Sequence, residues 1–158
     1  MSKPSIVLVP GAWHVPAHFN QVIEKLEDQE YICLGVSLPT NTRNPSVDGR
    51  LLGIEDDVAA IRAAVMSQLD TGNDVVVVTH SYSSIPGTAA LTGLNLEARK
   101  TAGKSNGVVG VVIISGFILP PDCHHEQPTS PPIPPRKQHT PTFRRSRCHK
   151  HPLQRSRP

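Results

Sequence analysis

Four runs of apolar residues divide the first 120 residues of the chain. They cover residues 6–10, 32–38, 75–78 and 108–114, and three of them are unbroken. Runs that are apolar on both faces of the pleat are typical of strands buried between helices in a parallel sheet. The pattern therefore predicts a mainly parallel sheet of about four strands.

Between these runs, apolar residues recur at the spacing of one helix face. The first stripe is formed by Phe19, Val22, Ile23 and Leu26, and the second by Ile54, Val58, Ile61, Val65 and Leu69. A third helix is predicted to start just after Ser81 and to run towards Leu94. Strands and helices alternate, which predicts an α/β fold with a doubly wound sheet and right-handed crossovers.

The composition changes near Pro120. Residues 121–158 hold 8 Lys and Arg against 2 Asp and Glu, together with 9 of the 16 prolines. A segment with so few apolar residues buries too little surface to offset its ordering entropy. We therefore predict a partial α/β core over residues 1–120 and a disordered Pro-, Arg- and His-rich tail over residues 121–158.

The acidic balance of the first 120 residues gives no reason to expect nucleic acid as a partner. The first apolar run, residues 6–9, is too short for a signal peptide or a membrane span. These observations predict a cytoplasmic protein without a membrane partner.

The third apolar run ends in a turn that carries a candidate nucleophile. It reads VVVVTHSYSS, so that Thr79-His80-Ser81-Tyr82-Ser83 stands where the pattern G-x-S-x-G places a serine between strand and helix. Ser83 is small, as close packing requires, but Thr79 is β-branched and predicts crowding on the strand side. A serine here can also simply cap the next helix.

Two further stretches accompany this turn. LVPGAWH at residues 8–14 follows the first strand, and SGFILPP at residues 115–121 follows the last. With these motifs in this order, residues 5 to about 121 resemble the alpha/beta-hydrolase fold family. The similarity is to its small-esterase branch, which includes methylesterases and hydroxynitrile lyases.

The resemblance implies that Ser81 is the nucleophile and that the backbone N–H groups of Ala12 and Tyr82 form an oxyanion hole. It implies a small ester or lactone as substrate and no metal or cofactor, although lyases of the branch share these residues. The side chains expected to line the pocket are Trp13, His14 and His18. His80 is rejected as the base because neighbouring side chains diverge at such a turn.

The base and the acid that a serine nucleophile needs follow it in this fold. Beyond residue 120 the acids are Asp122 and Glu126, and the histidines are His124, His125, His139, His149 and His151. No apolar strand carries any of them back to the sheet. We therefore expect an incomplete triad in a truncated chain, with residues 108–114 left as an exposed apolar edge.

Other interpretations concern the tail. Pro131, Pro134 and Arg136 match a polyproline ligand of SH3-type domains, which would make the chain a non-catalytic binding protein. The zinc-type ligands there are Cys123, His124, His125, Cys148, His149 and His151, but they lack the paired spacing of a metal site. The basic run at residues 144–147 is interpreted as a solvated charge run.

Overall fold

The chain is seen in a computed structural model, which describes residues 3–118. All of these lie in one compact unit, Met1–Cys123. The predicted disorder of residues 121–158, the SH3-type motif, the zinc-type ligands and the candidate triad members Asp122 to His151 lie outside the described residues.

Four parallel strands form the sheet, as the apolar runs predicted. Its order is β2-β1-β5-β6, and a separate two-stranded hairpin is made by β3 and β4. The strands are β1 Ser5–Val9, β2 Cys33–Gly35, β3 Ser46–Val47, β4 Arg50–Leu51, β5 Val75–His80 and β6 Val108–Ile114. The helices are α1 Asn20–Glu27, α2 Ile54–Asp70, α3 Ser84–Ala90 and α4 Leu96–Thr101. The predicted doubly wound α/β fold is confirmed.

The direction of winding reverses between β1 and β5. The chain moves outwards from β1 to β2, crosses back over β1 to β5, and continues in the opposite direction to β6. In open α/β sheets the crevice at the carboxyl ends of the strands, at such a reversal, is where ligands bind. The reversal therefore directs attention to the segments after Val9 and after His80.

The core lies between the two central strands and helix α2. Every residue of β1 is buried, and alternate residues of β5 are buried. On the helix side the buried apolar residues are Ile61, Val65 and Leu69, which belong to the predicted stripe. Each such aliphatic side chain contributes about 1.5–3 kcal/mol when it is withdrawn from water, so this layer holds the two central strands in place.

Several local elements differ from the prediction. The second strand is shorter than residues 32–38, and short 3-10 turns, Pro16–Phe19 and Ser81–Ser83, precede α1 and α3. The β3–β4 hairpin turns at Asp48-Gly49, where both residues have positive φ. That is the geometry that Asp-Gly favours. Helix α4 was not among the predicted helices.

Within residues 3–118, strand β6 is one of the two edge strands of the sheet. The strand it pairs with is β5, and an isolated parallel bridge joins its first residue, Val108, to Asn95. Its exposed apolar residues are Val109, Val111, Val112 and Ile114, each between 42% and 47% exposed. Within residues 3–118 no helix has the length and apolar character needed to span a membrane.

Candidate active site

Strand β5 ends in a sharp turn centred on Ser81. The φ angle of Ser81 is 53°, in the left-handed region that residues with a Cβ seldom adopt. The chain then enters the 3-10 turn Ser81–Ser83 and continues directly into α3. A left-handed non-glycine residue costs on the order of 1–3 kcal/mol and persists only where its surroundings hold it.

Two buried serines hold this turn. The N–H of His80 donates to Ser83 Oγ at 3.0 Å, and that hydroxyl lies 2.9 Å from the acceptor Val9 O on the neighbouring strand. Ser84 Oγ donates to Ser81 O at 2.8 Å and accepts from the N–H of Phe117 at 2.8 Å. The small polar residues after Ser81 therefore tie the turn to both adjacent strand ends.

The crowding predicted at Thr79 is relieved by a glycine on helix α3. Thr79 is fully buried, and a Cβ added at Gly87 would lie 2.6 Å from Thr79 Cγ2. That distance leaves no room for a side chain at position 87. In the pattern G-x-S-x-G the first glycine leaves space on the strand, whereas here Thr79 fills that position and Gly87 leaves the space on the helix.

The loop after β1 packs against the same turn. A Cβ added at Gly11 would lie 3.2 Å from Ser81 Cβ and 2.9 Å from His80 Nδ1. The N–H of His14 closes a tight turn by donating to Gly11 O at 3.1 Å, and Trp13 is left-handed with φ 62°. Gly11 thus permits a close approach of the two strand ends.

The residues expected to supply main-chain donors lie in these two segments. Ala12 is half-buried and follows Gly11 directly. Tyr82 is half-buried and is the second residue of the 3-10 turn. An N–H in the first turn of a helix has no acceptor within that helix, so that of Tyr82 is left for another partner.

A cleft of about 290 Å³ opens beside the two segments. It is lined by Pro10, His14, His18, Phe19, His80 and Ile114. The ring of His14 meets those of His18 and His80 edge to face, at centroid distances of 4.9 and 5.5 Å. His14 and His18, two of the expected pocket residues, are in this lining, whereas Trp13 is outside it and 91% exposed.

Sequence reasoning missed four of the lining residues. Pro10 precedes Gly11 and His80 precedes Ser81, and these neighbouring positions are the sequence signal that could have identified them as lining residues. Phe19 was interpreted only as part of a helix stripe, and Ile114 only as part of a strand.

No group of three or more His, Cys, Asp or Glu side chains within residues 3–118 is arranged to hold a metal ion.

A buried carboxylate lies behind the Ser81 turn. Asp57, in the first turn of α2, is fully buried and accepts a hydrogen bond of 2.8 Å from Tyr82 Oη. Thr40 Oγ1 donates to the same carboxylate at 2.7 Å. Burial, followed by the hydrogen bond and the charge of Asp57, raises the pKa of Tyr82 to about 12. Tyr82 is therefore a neutral donor at physiological pH.

Comparison with known proteins agrees with the α/β fold. A family model described as "Alpha/beta hydrolase family" matches residues 6–156. The chain belongs to the alpha/beta hydrolase family. The match runs past residue 121, where the sequence resemblance was expected to end.

Two curated relatives of this chain come from fungi. "Alpha/beta hydrolase nvfD" of Aspergillus novofumigatus is 35% identical over 121 residues, which are 76% of this chain and 46% of the relative. "Probable hydrolase R7" of Phoma sp. is 34% identical over 118 residues, covering 75% and 44%. The chain therefore matches less than half the length of either relative.

Within the described residues, the hydroxyl of Ser81 has no base in contact. Ser81 Oγ makes no hydrogen bond to another residue of 3–118, and Asp57 is engaged by Thr40 and Tyr82. A serine hydroxyl is a weak nucleophile until an adjacent base takes its proton. The described part thus places the Ser81 hydroxyl in a turn that packs closely against the segment after β1.

Proposed function

We propose that Ser81 is the nucleophile of an acyl transfer to water, acting on a small ester or lactone. The observation that carries this proposal is the left-handed Ser81, which directly follows β5 at the reversal of the winding and packs against the turn at Gly11. A helix-capping serine needs no such conformation, because N-cap residues take extended backbone angles.

In the proposed reaction Ser81 Oγ attacks the carbonyl carbon of the ester. A new C–O bond forms, the carbonyl oxygen becomes an oxyanion, and the N–H groups of Ala12 and Tyr82 donate to it. The alcohol then leaves with a proton, and water releases the acid from the serine. Each main-chain donor contributes about 3 kcal/mol to lowering the barrier.

The substrate is proposed to occupy the 290 Å³ cleft. Its lining combines the apolar Pro10, Phe19 and Ile114 with imidazoles, so an apolar acyl or alkyl group suits one wall and polar groups suit the other. Pockets for small molecules typically pair an apolar lining with few polar groups. This favours a compact ester or lactone over a polymeric substrate.

The proton acceptor for Ser81 is proposed to follow it in the chain, in the order usual for this fold. Both relatives are named as hydrolases, and the chain spans less than half of the length of either. Hydrolase activity of the whole protein is therefore proposed together with the role of Ser81. The acid and the histidine are not assigned to residues 3–118.

The proposal is tested by pre-steady-state hydrolysis of p-nitrophenyl acetate. We expect a slow burst of p-nitrophenol of at most one equivalent per chain, because a serine without a contacting base is acylated slowly and its acyl ester is hydrolysed more slowly still. Ser81→Ala should abolish the burst. Ser115→Ala is the matched control, since Ser115 also directly follows a strand with positive φ (48°).

A burst that survives Ser81→Ala, or one that disappears in Ser115→Ala, would contradict the assignment. Circular dichroism and the Tm of both variants establish that the fold is intact.

A further inference from the structure

A short 3-10 turn, Pro39–Asn41, lies between the two segments that carry the proposed oxyanion donors. Its polar side chains bond in opposite directions. Asn41 contacts the loop after β1, and Thr40 contacts the carboxylate that holds Tyr82. This turn is therefore a physical link between two strand ends that are remote in sequence.

The side chain of Asn41 uses its whole amide group on the loop after β1. Its Oδ1 accepts from the N–H of Trp13 at 3.0 Å, and its Nδ2 donates to Gly11 O at 2.9 Å and to His14 O at 2.8 Å. These contacts surround Ala12 on both sides. They also hold Trp13 in its left-handed conformation, which is costly without support.

The contacts of Thr40 lead to the Ser81 turn. Its N–H donates to Asp57 Oδ1 at 3.1 Å and its hydroxyl donates to Oδ2 at 2.7 Å. Tyr82 Oη donates to the same Oδ2 at 2.8 Å. Hydrogen bonds to a charged acceptor are stronger than those between neutral groups, and this acceptor is fully buried. The ring of Tyr82 is thereby fixed in place.

We propose that Thr40, Asn41 and Asp57 form a brace that sets the mutual position of the N–H groups of Ala12 and Tyr82. The brace rests on the function proposed above, since it gives those two donors a common target. Two donors stabilise one oxyanion only when both lie within about 2.7–3.1 Å of it. Thr40, Asn41 and Asp57 are positioning residues, because they act through the backbone of others.

The first test measures how fast Ser81 in the full chain is labelled by an alkyl fluorophosphonate. In that reaction the Ser81 Oγ–P bond forms, the P–F bond breaks, fluoride leaves and the serine proton passes to solvent. Asn41→Ala should slow labelling by about tenfold or more, because small misplacements of a site are costly. Asn44→Ala is the matched control, since within residues 3–118 that exposed side chain accepts a hydrogen bond only from Ser46.

A double-mutant cycle tests whether the two arms act as one unit. Asn41→Ala and Tyr82→Phe break the brace at opposite ends, so we expect the double variant to label little more slowly than the slower single variant. Residues that act independently give effects that multiply. A double variant whose slowing equals the product of the single effects would overturn the brace.

Amide spectra provide a readout that does not depend on reactivity. In ¹⁵N-labelled full chain, Asn41→Ala should shift the amide resonance of Tyr82, and Asp57→Asn should shift that of Ala12. Asn44→Ala should leave both in place. Resonances that move only beside the substituted residue would contradict the brace.

The two proposals fail in different ways. A wild-type chain that takes up no label contradicts the proposed function, and the amide shifts then decide the brace alone. If Asn41→Ala is labelled as fast as the wild-type chain, the brace is contradicted. Ser81 then remains the proposed nucleophile.

Discussion

Strands β5 and β6 are neighbours with similar sequences and different surroundings. Both are valine-rich, and each is followed directly by a serine with positive φ, Ser81 and Ser115. Strand β5 has partners on both sides, and alternate residues are buried, whereas most of β6 is half-buried or exposed. An apolar run therefore predicts a strand, but its place in the sheet decides how it is buried.

The serines that end these strands differ in the same way. Ser81 lies against the Gly11 turn and is followed by buried serines and a helix. Ser115 is exposed and belongs to no helix. A left-handed serine by itself is thus a poor sign of a nucleophile. Ser81 differs from Ser115 because it packs against the turn at Gly11, at the end of the neighbouring strand β1.

The largest effect is expected from the open side of β6. Exposed apolar edge strands pair with other chains, and lysine on an edge prevents this. We expect the purified chain to self-associate and Val112→Lys to shift it towards monomer in sedimentation velocity. The control is Val22→Lys, an exposed valine on helix α1. A monomeric wild-type chain at the same concentration would contradict this expectation.

The next effect concerns packing beside the Ser81 turn. Gly87→Ala should lower the free energy of unfolding by about 1–2 kcal/mol, because overpacking against Thr79 exceeds the helix-forming gain of alanine. Thr79→Ser removes the methyl group that is in the way, so the double variant should recover most of the loss. Denaturant titration measures all three variants.

Strand β6 offers the matched control for that substitution. A Cβ added at Gly110 would lie 3.6 Å from Val76 Cγ2, an ordinary contact. Gly110→Ala should therefore be neutral or stabilising by up to about 1 kcal/mol. If Gly87→Ala and Gly110→Ala lower the free energy of unfolding equally, packing is not tighter beside Thr79 of β5 than at Gly110 of β6.

The smallest effect is the titration of Tyr82. Its raised pKa of about 12 means that the neutral phenol stabilises the folded state below pH 10, and that this contribution is lost as the pH rises towards 12. Asp57→Asn removes a charge and should lower the pKa of Tyr82.

A pH-jump measurement of absorbance at 295 nm, in a Tyr31→Phe background, isolates this residue among the two tyrosines of the chain. An unchanged midpoint in Asp57→Asn would show that the carboxylate does not act on Tyr82.

The sequence predicted the sheet and marked Ser81 as a candidate nucleophile because both inferences depend on local patterns. Four apolar runs, and a serine directly after one of them, are visible without knowing any distant neighbour. The Asp48-Gly49 hairpin was missed although Asp-Gly is a strong turn signal. Helix α4 was missed although Asn95 caps it by accepting from the N–H of Ala98 at 2.7 Å.

The contacts that shape the candidate site were beyond local reasoning. Asn41 meets Gly11, Asp57 meets Tyr82, and Gly87 makes room for Thr79. Each pair joins segments brought together only by the winding of the sheet, so no periodicity or short motif marks them. Thr79 illustrates this, because its compensating glycine lies on another element.

The central claim is that Ser81 presents its hydroxyl to the N–H groups of Ala12 and Tyr82. A crystal structure of the full chain after reaction with an alkyl fluorophosphonate tests it most directly. We predict phosphorus bonded to Ser81 Oγ and the phosphoryl oxygen about 2.7–3.1 Å from both amide nitrogens. Phosphorus on another residue, or a phosphoryl oxygen turned away from both amides, would contradict the claim.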